Sequence, residues 1–568
     1  MIGLFSFILL ITLGIYAVTL LVDPNKFKSN IESTSASAGI KLGIEGDLAW
    51  QLFPFGLSVD KVNFVLSDRS MSGSADQLSL GVNFSTLISL ASQRSQLPIS
   101  RLTVTNGRML YALPNSLPLQ FSQINFAIDD LNSIGEIFTL ALDLVAPKGV
   151  KVSVNADIAM RLSEQTLTDL SIANFQLNIN RLSISGHLET ANHLKKIQGQ
   201  FKADSFNLIE QFKLAKRFEP DLIVPRMADP KALTNITLDS FFDIETEGYS
   251  KIQTTLSIDG QPMDIDVDID HPNYKLHTVV SGKKFNLDAY KAQSNNQSNH
   301  SMLFAPLAIP MAVWHGQSQF ELNLMAIKIA GIDLSDIYIN LFGNQNIFRL
   351  TSLSGDIFGG QLNASGSLNM QHAKPTFAFE STITGVDLNT VTQSMDDINI
   401  GGLFSLETSI QGSGDSAESM LESLDGSGNI NIASPSYQGT NLEQTLCNAA
   451  AMFGGKPIPK TTWSDNTELA DFSGMLRLKK DRLLLTEYQT NLSNIAIYGN
   501  ADLNLRTLRY SLNTTALATQ PTSSANGCKI SPMLVKREIP LRCKGTLGDK
   551  FNCKPDNNLI QTLLLSPK

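Results

Sequence analysis

Apolar and polar residues alternate along most of this chain with a period of two. Val150, Val152, Val154, Ala156, Ile158 and Met160 form one unbroken apolar file. Phe138, Leu140, Leu142 and Leu144 form another, and Ile124, Phe126 and Ile128 a third. A period of two sends alternate side chains to opposite faces, so these are strands with one dry face and one wet face. Strands of a parallel sheet, buried on both sides, would read as continuous apolar runs, so antiparallel pairing is expected. Turn signals punctuate the files: "NG" at 106–107, "DG" at 259–260, "GN" at 343–344 and "GG" at 359–360. Helices are expected to be few and short, at 86–93, 206–218, 417–424, 442–453 and 557–565.

The stretch "PMDIDVDIDH", residues 262–271, sets Asp264, Asp266, Asp268 and Asp270 between Met263, Ile265, Val267 and Ile269. Calcium needs six to eight oxygens converging on a point. Alternate residues of a strand lie roughly 6.5–7 Å apart and point in parallel. The aspartates are therefore read as a wet face, with no metal. Asp259-Gly260 fits a two-residue hairpin turn. That turn pairs Leu256 with Met263, Thr254 with Ile265 and Ile252 with Val267. The wet face then pairs Thr255 with Asp264, Gln253 with Asp266 and Lys251 with Asp268. A slip of one residue would throw the whole apolar set to the wrong face.

A dry face has to be covered. Two arrangements would do it: sheets facing one another as sandwiches, or one long curled sheet whose open hydrophobic groove is covered by lipid. Removing apolar surface from water contributes about 25 cal/mol per Å². The residues expected to line such a groove are Leu140, Leu142, Val150, Val152, Val154, Ile158, Ile252, Met263, Ile265, Val267 and Ile269.

Residues 2–22 carry no charge. That run is long enough to span a bilayer, and it lacks the basic start and cleavage site of a signal peptide. One uncleaved transmembrane anchor is expected. A short helix should follow, with Pro24 at its start, Phe27, Ile31 and Ser35 on one face, and Gly39 at its end. Segment by segment, the reading is an anchor over 1–22, a β-groove region over 23–290, a mobile polar loop over 291–301, and a second β-groove region over 302–568.

Net charge is −9, which excludes the basic stripe of a nucleic-acid binder. Lys26 and Lys28 follow the expected span and by the positive-inside rule favour a cytoplasmic body. Cys447, Cys528, Cys543 and Cys553 all fall in the last quarter and point instead to disulfides in an oxidising compartment. No Cys-x-x-Cys pair suits zinc. Four cysteines allow three pairings. Cys528–Cys543 with Cys447–Cys553 is expected, with a helix carrying Cys447 beside the chain end. The seven histidines show no ligand spacing, and no G-x-S-x-G or Walker motif occurs. "GSGDSAESMLESLDGSG" is acidic and reads as turn, helix, turn. No enzyme activity and no cofactor are expected.

The segment "LVDPNKFKSNIESTSASAGIKLGIEGDLAWQLFPFGLSVDKVNF" resembles the start of the AsmA family. Asp23, Pro24 and Phe27 match its D-P-x-x-[FY] helix start. Gly46, Asp47, Leu48, Trp50, Phe53 and Pro54 match its strand and turn. "FNLDAYK" at 285–291, "LESLDGSGNINIASPSYQGTNLEQTLCNA" at 421–449 and "IPLRCKGTLGDKFNCKPD" at 539–556 are similar to later family motifs. The resemblance implies an inner-membrane anchor, a periplasmic body and a role in outer-membrane biogenesis in a Gram-negative bacterium. It also implies a β-groove that carries phospholipid acyl chains, and a partner protein in the periplasm or outer membrane. The alternative is a β-sandwich scaffold that assists outer-membrane protein assembly.

Overall fold

The computed structural model describes residues 23–37, 39–52, 55–68, 70–82, 99–112, 118–130, 137–163, 166–219, 222, 224–225, 227–291, 316–372, 374–392, 400–414, 417–439, 441–444, 447–448, 462–525, 527–532, 534–546 and 553–555. The expected span 2–22, the expected helices 86–93 and 557–565, and most of 291–301 and 442–453 lie outside them. Among the described residues no helix is long and apolar enough to cross a membrane. The chain divides into two compact units, Met1–Pro225 with Lys231–Pro272, and Arg226–Pro230 with Asn273–Lys568.

The first unit holds β1 (Ile40–Ile44), β2 (Leu48–Leu52), β3 (Phe55–Leu66), β4 (Met71–Val82), β5 (Ile99–Tyr111), β6 (Leu119–Asp129) and β7 (Ile137–Ala146). It continues with β8 (Val150–Ser163), β9 (Thr166–Ile179), β10 (Leu182–Ala191), β11 (Lys196–Phe206), β12 (Ile236–Glu245), β13 (Tyr249–Ile258) and β14 (Gln261–Asp270). From β3 onward each strand pairs antiparallel with the next. β1 and β2 lie end to end along the free side of β3. The predicted hairpin is present with its predicted register throughout. Asp259 and Gly260 both take positive φ, 51° and 80°, as a two-residue turn between twisted strands requires.

Residues directly opposite across a ladder share a face. One row therefore crosses the unit from β3 to β14: Val59, Leu78, Val104, Phe126, Leu142, Val154, Leu177, Ile184, Ala203, Leu238, Leu256 and Met263. Every member is apolar. A second row carries Phe138, Ile158, Ile172, Leu188, Gly199, Phe242, Ile252 and Val267. Along β8, Val152, Val154 and Ile158 stay only half-buried. Residues facing a second sheet would be closed off, so sandwich packing is not what covers them.

The second unit holds β15 (Lys275–Asn286), β16 (Gln317–Ile329), β17 (Ile332–Asn344), β18 (Ile347–Ile357), β19 (Gly360–Asn369), β20 (Thr376–Asp387), β21 (Ile400–Ser413) and β22 (Asp425–Tyr437). It ends with β23 (Thr467–Glu468), β24 (Phe472–Lys479), β25 (Arg482–Leu492), β26 (Ile495–Asn504), β27 (Arg509–Ala518), β28 (Glu538–Thr546) and β29 (Cys553–Pro555). Its pairing corrects the all-antiparallel expectation. β15 and β16 are parallel, while the later ladders are antiparallel. A parallel pair needs a long return connection. Residues 287–316 span it, and no local pattern along them signalled the reversal.

The expected disulfide pairing is also overturned. Cys447 is bonded to Cys528. Cys528 is held there by a tight turn, in which its N–H donates to Ser523 Oγ and its carbonyl accepts from Ser523 N–H. Cys543 is disulfide-bonded as well, and its ladder neighbour is Cys553. With Cys447 and Cys528 joined to each other, neither Cys528–Cys543 nor Cys447–Cys553 is available.

On the dry faces aromatic rings repeatedly stand opposite glycine. The pairs are Phe64 with Gly73, Phe242 with Gly199, Phe348 with Gly343, Phe379 with Gly366, Phe377 with Gly412, Tyr488 with Gly499 and Tyr510 with Gly545. A ring beside a missing side chain covers the bare backbone. A Cβ at Gly366 would enter the space of the Phe379 ring. Gly366→Val is therefore expected to cost about 1–3 kcal/mol by overpacking, read as a lowered urea midpoint.

The 285–291 motif forms a clasp within the second unit. Asn286 Oδ1 accepts from Asp288 N–H, and Phe285 stacks on Tyr290 at 5.3 Å. Asp288 accepts from the N–H groups of Ala330 and Gly331 and pairs with Lys291 at 2.6 Å. The hydrogen bond from Lys291, and then that from Gly331, hold its carboxyl below the ordinary value. A depressed carboxyl pKa contributes stability fully above the unfolded value, about 3.9, and loses it as pH falls through the lower folded value. Amide exchange at Ala330 and Gly331 should therefore accelerate only below about pH 4, and Asp288→Ala should produce the same acceleration at neutral pH.

Candidate functional site

The first unit begins its dry face under a helix. Asp23 Oδ1 accepts from Asn25 N–H and starts a single 3-10 turn, Pro24–Phe27, which runs into the helix Lys28–Ser37. Side chains from this segment reach the edge strands. Asn25 Oδ1 accepts from Leu48 N–H at 3.0 Å, and Glu32 Oε1 accepts from Ile44 N–H at 3.2 Å. Edge amides that would otherwise template foreign pairing are thereby occupied. Phe27 meets Trp50 edge-on at 6.3 Å, and Trp50 stacks on Phe55 at 5.3 Å. Phe27 and Ile31 pack on a buried cluster of Ile44, Leu48, Leu57, Val59 and Val62. Phe53 and Pro54 lie outside the described residues.

Between this helix and β1–β7 lies a cavity of about 1030 Å³. Phe27, Ile31 and Ser35, the face expected from the sequence, all line it. Its floor is the dry face: Leu42, Val62, Leu78, Val104, Phe126 and Leu142 among others. Asn30, Thr34, Ser74 and Arg108 supply polar lining. The volume matches the upper range of small-molecule sites, which are mostly apolar with a few placed polar groups.

The sequence-derived groove residues all fall on the dry face of this unit. Leu142 lines the cavity itself. Leu140 faces Ala156 and Ile128. Val150 closes the β7–β8 ladder opposite Ala146, Val152 faces Leu144, and Val154 faces Leu142. Ile158 and Ile252 belong to the second apolar row, with Val267 at its end. Met263 ends the first row. Ile265 faces Thr254, and Ile269 faces Ser250. Sequence reasoning overlooked Val59, Leu78, Val104, Leu177, Ile184, Ala203 and Leu238, which complete the first row. It also overlooked hydroxyl pairs within the dry faces. Ser240 bonds Thr254 at 2.8 Å, and Ser381 bonds Thr408 at 2.6 Å. Each hydroxyl satisfies the other, so neither leaves an open polar group in an apolar setting.

The aspartates of β14 lie on the other face. Thr255 Oγ1 donates to Asp264 at 2.8 Å, and Gln253 Nε2 donates to Asp266 at 2.9 Å. Among the described residues no cluster of His, Cys, Asp and Glu is arranged to hold a metal. Ser250 Oγ lies 2.9 Å from His271 Nε2, but Ser250 is 2% exposed and its hydroxyl already serves the Glu245 backbone. In the "GSGDSAESMLESLDGSG" stretch, Ala417–Ser423 is helical. Its Glu418 and Glu422 each pair with Arg506 at 3.3 Å.

Ala75 lines the cavity beside Val62. Ala75→Phe places a ring in that space and should weaken uptake of an apolar fluorescent probe at least about fivefold, since drug-sized ligands bury most of their surface in such sites. An unchanged melting temperature would show that the fold is intact.

Residues 277–488 match the model of the AsmA family. Protein AsmA of Escherichia coli (strain K12) is 20% identical over 543 residues, covering 88% of this chain and 84% of that protein. No solved structure matches. The matched region contains the Asp288 clasp, and the N-terminal motif supplies one wall of the cavity, with Phe27, Ile31 and Leu42 among its lining residues. The chain therefore carries an AsmA family region over residues 277–488 and is similar to Protein AsmA along most of its length.

Proposed function

We propose that this chain is an envelope-associated lipid carrier whose dry sheet face holds phospholipid acyl chains and lets them pass along it. The observation that carries this reading is the unbroken apolar row from Val59 to Met263, most of whose members are only partly buried, with no second sheet over it among the described residues. Burying such a face is worth about 25 cal/mol per Å². Acyl chains supply apolar cover without asking for hydrogen bonds, and the dry face offers few. The charged head group would remain on the water side.

In this reading residues 2–22 anchor the chain in the inner membrane and the body stands in the periplasm, where the cysteines are oxidised. The contribution is to outer-membrane biogenesis, and the role is binding and transfer without covalent chemistry. A partner in the periplasm or outer membrane would complete the route. Similarity to the AsmA family and the Cys447–Cys528 disulfide support this placement.

Native mass spectrometry of the full chain should find co-purified phospholipid. Photo-crosslinking residues placed at Val154 and Val267 should give lipid adducts, and one at Asp266 should not. Adducts only within the chain at Val154 and Val267, with no bound lipid, would sink the proposal.

A further inference from the structure

We propose that one edge of the first unit is a docking surface for an anionic phospholipid bilayer. It is formed by the helix Leu208–Lys216, the β9–β10 turn and Phe218. Asn207 caps the helix by accepting from Glu210 N–H, and the last turn carries Lys213 and Lys216. Arg217 follows as the C-cap. Arg181, from the turn between β9 and β10, faces the same helix across a depression of about 380 Å³. Asn180, Arg181, Glu210, Lys213 and Arg217 line that depression. Lys148, from the β7–β8 turn, stands 5.8 Å from the ring of Phe218.

Cations in a last helical turn are ordinary, because they complement the helix dipole. That account covers Lys213, Lys216 and Arg217. It does not explain why Arg181 and Lys148 converge on the same place from two separate turns. Glu210 is the carboxylate in contact, 3.8 Å from Arg181, and both groups are well exposed. An exposed pair of that length is worth little, so it does not neutralise the patch. Glu219 is the other carboxylate on the described part of this segment.

Two further features select a bilayer as the partner. The whole chain carries −9, so its overall field opposes an anionic surface and attraction has to be local. Phe218 is 44% exposed, directly after Arg217 in the chain and 5.8 Å from Lys148. An aromatic ring set among lysine and arginine suits the interface of an anionic membrane, where the ring enters the head-group layer and the cations meet phosphate. The patch lies on a different edge feature from the apolar row, so this inference stands independently of acyl binding.

The test uses the full chain with a photo-crosslinking residue at position Phe218, incubated with phosphatidylcholine vesicles with or without phosphatidylglycerol. A probe at this position reports local contact whether or not residues 2–22 insert. Lipid adducts at 218 should increase at least about fivefold with phosphatidylglycerol and fall again in high salt, as an electrostatically held surface contact must. The combined variant Arg181→Gln, Lys213→Gln, Lys216→Gln, Arg217→Gln should lose the increase. The melting temperature of that variant should be unchanged, which shows that the unit is folded. Adducts at 218 that ignore vesicle charge, or that survive the charge removal, overturn the proposal. So does crosslinking at 218 to protein or nucleic acid in place of lipid.

Discussion

A strand that is dry on one side only is an incomplete structure, and this chain is made almost wholly of such strands. Its ladders satisfy the backbone within the sheet, strand by strand. They do nothing for the apolar side chains that the period of two collects on one face. The helix Lys28–Ser37 covers the beginning of that face, and the buried residues gather there as Ile44, Leu48, Leu57, Val59 and Val62. Past the helix, no second layer takes over among the described residues of the first unit. The cavity, the half-exposed valines of β8 and the proposed acyl cover all follow from that shortage.

Keeping such a face continuous requires attention to its few polar and bare positions. Some serines and threonines occur in bonded couples, Ser240 with Thr254 and Ser381 with Thr408, and Ser250 turns to the Glu245 backbone. Glycine occurs opposite an aromatic ring, as at Gly366 and Phe379. Both devices act across a ladder, between residues far apart in the chain. Bulges add a third. Asn106, Gln123, Asn174 and Glu487 take positive φ inside strands, which bends a strand and shifts the phase of its alternation.

These cross-ladder devices explain what could and could not be read beforehand. The hairpin of β13 and β14 was legible to the residue, because a two-residue turn and strict alternation leave a single register. The face of Phe27, Ile31 and Ser35 was legible because a short helix carries its own period. The parallel step at β15 and β16 was not, since local pattern does not record which neighbour a strand chooses after a long connection. The Cys447–Cys528 bond was missed for the same reason. It joins positions 81 residues apart that only the folded C-terminal ladders bring together. The full apolar row was half-visible: its members stood in separate files, and only the registers strung them together.

That row has a mechanical meaning. From Leu78 to Met263 each step along it presents another apolar side chain, while Val59 is closed off beneath the helix. A chain of methylenes lying there meets shallow wells of similar depth and no distinctive stopping place. In the proposed role such a surface would act as a bearing more than as a lock: it would hold by the length of contact, select poorly among chemically similar tails, and oppose displacement along its axis far less than displacement away from it.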